Sequence, residues 1–258
     1  MRRVRPAAVL MVAVPLLLAL VGPWLVPAEQ ARTAPFLPDG LLGTDFVGRD
    51  TWYQVLDGGR SVVLVALAAT ALAYAVGVPW GVTAATARLR IVDEVLMRPL
   101  DLLLAVPSLL LLIVLATVAG PGVAVLVGIV ALIAFPDVAR IARAAALEIG
   151  GRPALEAMRM QGESWWRTSV VYMGRSMARP LAADAGVRLT SSLYLVASAS
   201  FLGVGVPPDA ADWAVMVDRN RTGLFLQPWA VVVPAVLIIA LSVGLNLLFD
   251  RALRKEPR

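Results

Sequence analysis

Residues 102–136 read LLLAVPSLLLLIVLATVAGPGVAVLVGIVALIAFP and carry no charged side chain. An α-helix rises about 1.5 Å per residue, so as one helix this run would reach about 52 Å, far more than the ~30 Å hydrocarbon core of a bilayer. Gly120-Pro121-Gly122 lies at its centre. Proline cannot donate to a helix ladder and glycine favours turns, so the tripeptide predicts a tight turn between two antiparallel spans. Further uncharged stretches occupy 6–28, 61–87, 189–208 and 222–249. Together they predict an all-α membrane protein with six transmembrane helices, near 6–27, 61–86, 97–118, 122–144, 183–205 and 229–249.

Composition agrees. Of 258 residues, 59% are hydrophobic and 16% charged, with a mean hydropathy of +0.79. A soluble domain is about 45–50% apolar and about 25% charged, so this chain has too little polar surface to cover itself in water. It has neither Cys nor His. Disulfides, thiolate catalysis, Ser-His-Asp triads and histidine–metal centres are thereby excluded.

The +5 charge comes from 22 Arg and the single Lys255, set against 18 acids. These basic residues lie between apolar runs rather than in one patch, which argues against nucleic acid as a partner. Their placement orients the chain instead. With the N-terminus inside, 18 of the 23 basic residues fall in the inner segments 1–5, 87–101, 140–188 and 250–258. The outer segments carry only Arg32, Arg49, Arg60, Arg219 and Arg221, balanced by eight acids. The positive-inside rule therefore predicts that both termini are cytoplasmic. Arg2, Arg3 and Arg5 before an apolar run resemble the start of a secretory signal peptide, with Val26-Pro27-Ala28 as a weak cleavage site. The run exceeds a 7–15-residue signal core, so it is read as an uncleaved first span.

The predicted organisation is an N-terminal tip and first span at 1–28, an extracytoplasmic segment at 29–60, a core transmembrane region at 61–250 with a long cytoplasmic loop at 146–180, and a tail at 251–258. No internal repeat suggests the inverted halves of many secondary transporters. Within the loop, Pro153 suits a first helical turn and Glu156 complements the helix dipole. Leu155, Met158, Gln161 and Trp165 recur at roughly helical spacing, and Gly162 stands where such a helix would end. A short amphipathic helix is expected there, either resting at the headgroups or serving a partner.

Glu156-Ala157-Met158, with Gly162 six residues beyond the Glu, resembles the EAA loop of ATP-binding-cassette importer permeases. LLGTDFVGRDTWYQVLDGGRSVVLV at 41–65, SFLGVGVPPDAADWAVM at 200–216 and VDEVLMRPLDLLLAVPSLLL at 92–111 narrow the likeness to the dipeptide/oligopeptide/nickel permeases, in particular the second, C-type subunit. The resemblance runs from Leu41 onward. It implies a type I importer permease fold, inserted in a bacterial inner membrane, with a cytoplasmic coupling helix that docks on an ATPase subunit. Carried over, Leu155, Glu156, Ala157, Met158, Gly162 and Trp165 form the coupling segment. Two features depart from the family pattern: Met158 replaces the third Ala, and Gly174-Arg175 stands where a Leu-Pro pair is usual, although Pro180 follows.

The implied partners are a second, homologous permease, two cytoplasmic ATPase subunits or domains, an extracytoplasmic substrate-binding protein and membrane lipid. No cofactor is expected on this chain, with ATP and Mg on the ATPases. A P-loop needs G-x-x-x-x-G-K-[ST], and Lys255 is followed by Glu256, so the chain has no nucleotide site and is not an enzyme. Peptides are the expected cargo, with nickel chelates, opines or glutathione as alternatives. A stand-alone transporter or channel is the competing class; it should show charges or polar breaks in mid-span, which are nearly lacking here.

Charged residues near span ends have two readings. Asp137, Arg140 and Arg143 lie three apart, and Asp184–Arg188 is an i,i+4 pair. They are gate groups lining a pathway, or they pair locally and snorkel near the cytoplasmic ends; the second is favoured. Outside, Asp45, Arg49, Asp50, Asp212 and Trp213 (with Asp209) either shape the pore mouth and dock the binding protein or staple two outer loops together. Pro79, Pro107, Pro136 and Pro234 are expected to kink or end spans.

Overall fold

The computed structural model describes residues 6–28, 32–87, 89–164, 166–207 and 209–254. Among these the regular structure is helical. Helices α1 (Pro6–Val21), α2 (Thr51–Thr86), α3 (Arg90–Ala105), α4 (Ser108–Ala119), α5 (Val123–Gly150), α6 (Pro153–Met160), α7 (Met173–Phe201), α8 (Trp213–Asn220) and α9 (Trp229–Arg254) follow in that order. Short 3₁₀ turns follow α1 and α8, and a π-helical segment, Trp166–Tyr172, runs into α7.

The centre of the bundle is the α2–α5 seam, made by small residues. Gly77 and Gly81 lie one turn apart on α2; a Cβ at Gly77 would stand 2.9 Å from Val138 Cγ1, and one at Gly81 would stand 2.2 Å from the Ala139 carbonyl oxygen. Ala66, Ala69, Ala73 and Ala84 of α2 and Ala131, Ala134, Ala139 and Ala142 of α5 are buried as well. Without side-chain bulk the backbones meet, which is how helices associate where lipid supplies no hydrophobic drive. The same device recurs twice more. Gly186 of α7 lies under the Phe249 ring, and Gly244 of α9 receives Met11 and Val12 of α1.

Gly120 and Gly122, both at positive φ (79° and 159°), form the predicted turn between α4 and α5. Three departures from the expected spans are large, besides shifts of a few residues at the ends of α1, α5 and α9. First, the expected span 97–118 is not one helix: α3 ends at Ala105, Pro107 caps α4, and the two axes bend by 94°. The cause is local, because Pro107 removes an N–H and pushes Val106 to extended backbone (φ −90°, ψ 129°). Second, α2 starts ten residues before the expected 61, since the Asp50 carboxylate accepts from Trp52 N at 2.8 Å and caps the helix there. Third, α7 starts at Met173, not 183, and absorbs Pro180. Pro79, Pro136 and Pro234 also lie inside continuous helices.

Among the described residues four helical segments, Pro6–Leu25, Thr51–Thr86, Val123–Gly150 and Trp229–Phe249, are long and apolar enough to cross a membrane, with a fifth if α3 and α4 count as one bent span. The remaining expected span, 183–205, lies largely in α7. At about 43 Å α7 is long enough, but Arg175, Arg179, Asp184 and Arg188 make it more polar than the others. The expected count of six is therefore not reached on length and apolarity alone.

Candidate functional site

At one end of the bundle, α5 stops at Gly150 and the short α6 begins with Pro153 in its first turn, as the sequence suggests. Leu155 is fully buried. It packs with Ala142, Ala145, Ala146 and Ile149 of α5 and with Met173 and Met177 of α7. Glu156, Ala157, Met160 and Gln161 are exposed, and Met158 is half-buried. The helix ends in a turn whose 6→1 hydrogen bond runs from Glu163 N to Met158 O (3.1 Å), closed by Gly162 at φ +77°. A Cβ at Gly162 would meet nothing within 4 Å, so the glycine is required by backbone handedness and not by crowding.

Ion pairs Arg152–Glu148 (2.7 Å) and Arg167–Glu163 (2.9 Å) brace the two sides of α6, while Glu156 has no ion-pair partner among the described residues. Trp165, placed in this segment by sequence, lies outside the described residues. The loop between α5 and α7 is shorter than the expected 146–180, because α5 runs to Gly150 and the π-helix joins α7. One side chain thus anchors α6 to both long helices and the rest of its surface faces outward.

A second polar cluster ties three long helices together, at the middle of α5. Arg188 of α7 donates to Asp137 of α5 at 2.5 Å and to Asp184 at 3.1 Å, and Tyr74 Oη of α2 donates to Asp184 at 2.6 Å. On the other side of α5, Arg143 grips Asp93 of α3 through two bonds (2.6 and 2.5 Å), and Arg140 pairs with Asp101. The Asp184–Arg188 pair was legible as an i,i+4 spacing. The stripe Asp137, Arg140 and Arg143 does not pair within itself, since each member reaches another helix. Tyr74 carried no signal in the sequence, because a lone tyrosine in an apolar run reads as filling.

At the opposite end, all five residues singled out there are brought together. Asp45 accepts from Val47 N (2.9 Å), Arg49 N (2.8 Å) and Arg49 Nε (2.8 Å), and Arg49 reaches across to the Asp209 carbonyl at 2.9 Å. Asp50 caps α2. Asp212 caps α8 through Ala214 N (2.9 Å) and Val215 N (3.2 Å), and also accepts from Ser61 Oγ. Trp213, fully buried against Gly58 and Gly59, donates Nε1–H to Val55 O at 2.8 Å. Burial pushes the Asp212 carboxyl above the usual carboxylate range, against the opposing pull of Ser61 and the two backbone N–H groups. Asn220 and Gln227, unremarked in the sequence, complete the stapling by bonding Phe46 N (2.8 Å) and Leu37 O (3.2 Å). Most of the hydrogen bonds of these residues are made within the chain, between the loop before α2, α2 itself and the segment around α8.

A lateral groove of about 690 Å³ between α4, α7, α8 and α9 is lined by apolar side chains apart from Thr190, Tyr194, Ser198 and Ser242. It holds no charged group, and among the described residues no cluster of acids is arranged to hold a metal.

Long apolar helices joined by glycine seams, with a small helix anchored at one end, define a polytopic membrane protein. The particular family follows from comparison: residues 77–255 match the family described as binding-protein-dependent transport system inner membrane component, and the chain belongs to it. It is 31% identical to the probable D,D-dipeptide transport system permease protein DdpC of Escherichia coli K12 over 91% of this chain and 80% of that protein. It is 30% identical to the di/tripeptide transport system permease protein DppC of Pseudomonas aeruginosa UCBPP-PA14, over 90% and 80% of the two chains. Its fold is similar to that of the MetNI methionine ABC transporter in an inward-facing conformation (TM-score 0.64, 15% identity, 80% of this chain and 97% of that one). It is also similar to an amino acid ABC transporter (TM-score 0.55, 18% identity, 76% and 92%). The chain is therefore, as the four motifs imply, an integral inner-membrane permease subunit of an ATP-binding-cassette importer, a transporter component and not an enzyme.

Proposed function

We propose that this chain is the C-type half of a peptide importer, paired with a homologous permease, served by an extracytoplasmic binding protein and driven by two ATPases that grip α6. In this reading the α6 end is cytoplasmic, as are both termini. The observation that carries the coupling role is the lopsided burial of α6. Leu155 is locked between α5 and α7 while Glu156, Ala157, Met160 and Gln161 face out. A helix held this way passes a push on its outer face to two long helices at once. Peptide cargo is supported by the names of the relatives and by the chain's chemistry. A chelated nickel ion prefers imidazole or thiolate ligands, and this chain has neither.

The test is reconstitution with the cognate ATPases, permease and binding protein. Glu156→Ala and Gly162→Val are each expected to lower both peptide uptake and peptide-stimulated ATP hydrolysis at least about tenfold, a loss of about 1.4 kcal/mol in coupling. Unchanged values for both variants would remove the coupling role; intact coupling with a non-peptide cargo would remove only the substrate.

A further inference from the structure

Helix α3 carries a stripe that none of the described residues covers. Ile91, Val95, Pro99, Leu102 and Val106 recur every three to four residues on one face and are exposed, with Ile91 at 67%, Val95 at 65% and Leu102 at 73%. Only Leu100 of this helix is buried. The polar strip beside the stripe is Arg90, Glu94 and Arg98, in which one carboxylate serves two highly exposed guanidiniums (3.4 and 2.9 Å), so its edge is net positive. On the third side Asp93 pairs with Arg143 and Trp80 Nε1 donates to Leu96 O at 3.0 Å, while Asp101, itself about half-exposed on the polar strip, is neutralised by Arg140.

As a spanning segment α3 would put Asp93, Glu94, Arg98 and Asp101 into hydrocarbon, at about 2.5–3.5 kcal/mol per charge near the centre. The 94° bend at Val106-Pro107 removes that need, because when α4 enters the bilayer, α3 turns into its plane. An in-plane helix needs an apolar face, a basic edge and a free surface, and α3 has all three.

We propose that α3 lies flat on the lipid surface, with Ile91, Val95 and Leu102 among the acyl chains and Arg90 and Arg98 on the phosphates of anionic lipids. Those two arginines stand beside the apolar stripe, where long cationic side chains reach headgroups while their stems stay apolar. Anionic headgroups are the chemistry that a net positive edge selects. The consequence is mechanical: α3 holds α5 through the Arg143–Asp93 and Arg140–Asp101 pairs, so the depth of the bilayer surface sets the position of α5. This inference concerns the membrane alone and stands whatever the cargo is.

The chain has no cysteine, so an introduced one is the single labelling site on this chain, and labelling before co-assembly keeps the partner subunits unlabelled. Ile91→Cys, Val95→Cys and Leu102→Cys would each carry a nitroxide in the full chain, co-assembled with its partner subunits in nanodiscs of phosphatidylglycerol and phosphatidylethanolamine. All three sites are exposed, so labelling leaves the packing alone. Power saturation with oxygen and a nickel chelate gives the depth of each. The expected result is three depths within about 5 Å, all just below the phosphates, although Ile91 and Leu102 are about 16 Å apart along the helix. A Glu94→Cys label should contact the aqueous chelate. Depth increasing along the helix by about 16 Å would make α3 a span, and labels shielded from both quenchers would mean that another subunit covers it; either overturns the proposal. Exchanging phosphatidylglycerol for phosphatidylcholine should make the Val95 label shallower, and Arg90→Gln with Arg98→Gln should abolish that shift. The same depth in both lipids would overturn the anionic assignment.

Discussion

Replacing Arg188 by Met tests whether the Tyr74–Asp184–Arg188–Asp137 cluster fastens α2, α5 and α7 by charge or merely fills space. Met is close in length but leaves Asp184 and Asp137 without their cation. Stranding a buried partner costs about 3–5 kcal/mol. The cost divides unevenly: the Asp184 side chain is 10% exposed and Asp137 37%, so the Asp137 arm is screened and the Asp184 arm dominates. Because Tyr74 still donates to Asp184 at 2.6 Å, the expected loss is near the lower end, about 3 kcal/mol. Neutralising the set with Asp137→Asn, Asp184→Asn and Arg188→Met together removes the stranded charge, and most of the loss should be recovered. Denaturant unfolding of the purified permease in detergent, followed by tryptophan fluorescence, measures both variants. A single variant as stable as the parent, or a triple variant no better than the single, would refute the electrostatic account.

Two further outcomes follow from the packing and the caps. Gly81→Leu places a Cβ 2.2 Å from Ala139 O and 2.8 Å from Arg143 N, so α2 and α5 must part by more than 1 Å; a loss of about 3 kcal/mol or failure to fold is expected, against a gain of at most about 1 kcal/mol in helix propensity, and Gly128→Leu, where a Cβ meets nothing within 4 Å, serves as the control in the same thermal-unfolding assay. At Asp212 burial raises the folded-state pKa, so the native protein holds its proton more tightly than the unfolded chain; stability should fall as pH rises from about 3.9 through the raised value and then level off. Asp212→Asn should flatten that slope while keeping the cap, and Asp212→Ala should flatten it too but stand about 1 kcal/mol below Asp212→Asn at every pH for want of the cap, both read from Tm against pH.

Much of this architecture is written in single residues. Gly120-Pro121-Gly122 dictates its turn, Pro153 opens α6 and Gly162 closes it, because these residue types admit few backbone geometries. Apolar run length located four spanning helices but misjudged two regions. For α3 the expected span 97–118 runs through Pro107, a residue expected to kink or end a span, but how far that proline turns the chain cannot be read from an apolar run, nor can the partners that Asp93 and Asp101 find on α5. For α7 charge hid a long helix whose arginine and aspartate are neutralised by tertiary partners that no local window contains. Leu155 was legible as part of an amphipathic face, whereas its role as the single anchor of α6 emerged only when α5 and α7 converged on it. Asp45, Arg49, Asp212 and Trp213 were identifiable as a group, but whether such residues reach outward or inward is decided by burial, which sequence does not encode.

Trp213 wedged on Gly58 and Gly59, with Asp212 bound to Ser61, fastens the segment before α9 onto the first turns of α2. The loop at 32–50 is sewn to the same segment through Asn220, Gln227 and Asp209. Lid and shaft are thereby welded, and a hinge between them has nowhere to form. A gate on that side of the bilayer must then swing at the boundary with a neighbouring polypeptide, each half tilting as a single rigid plate.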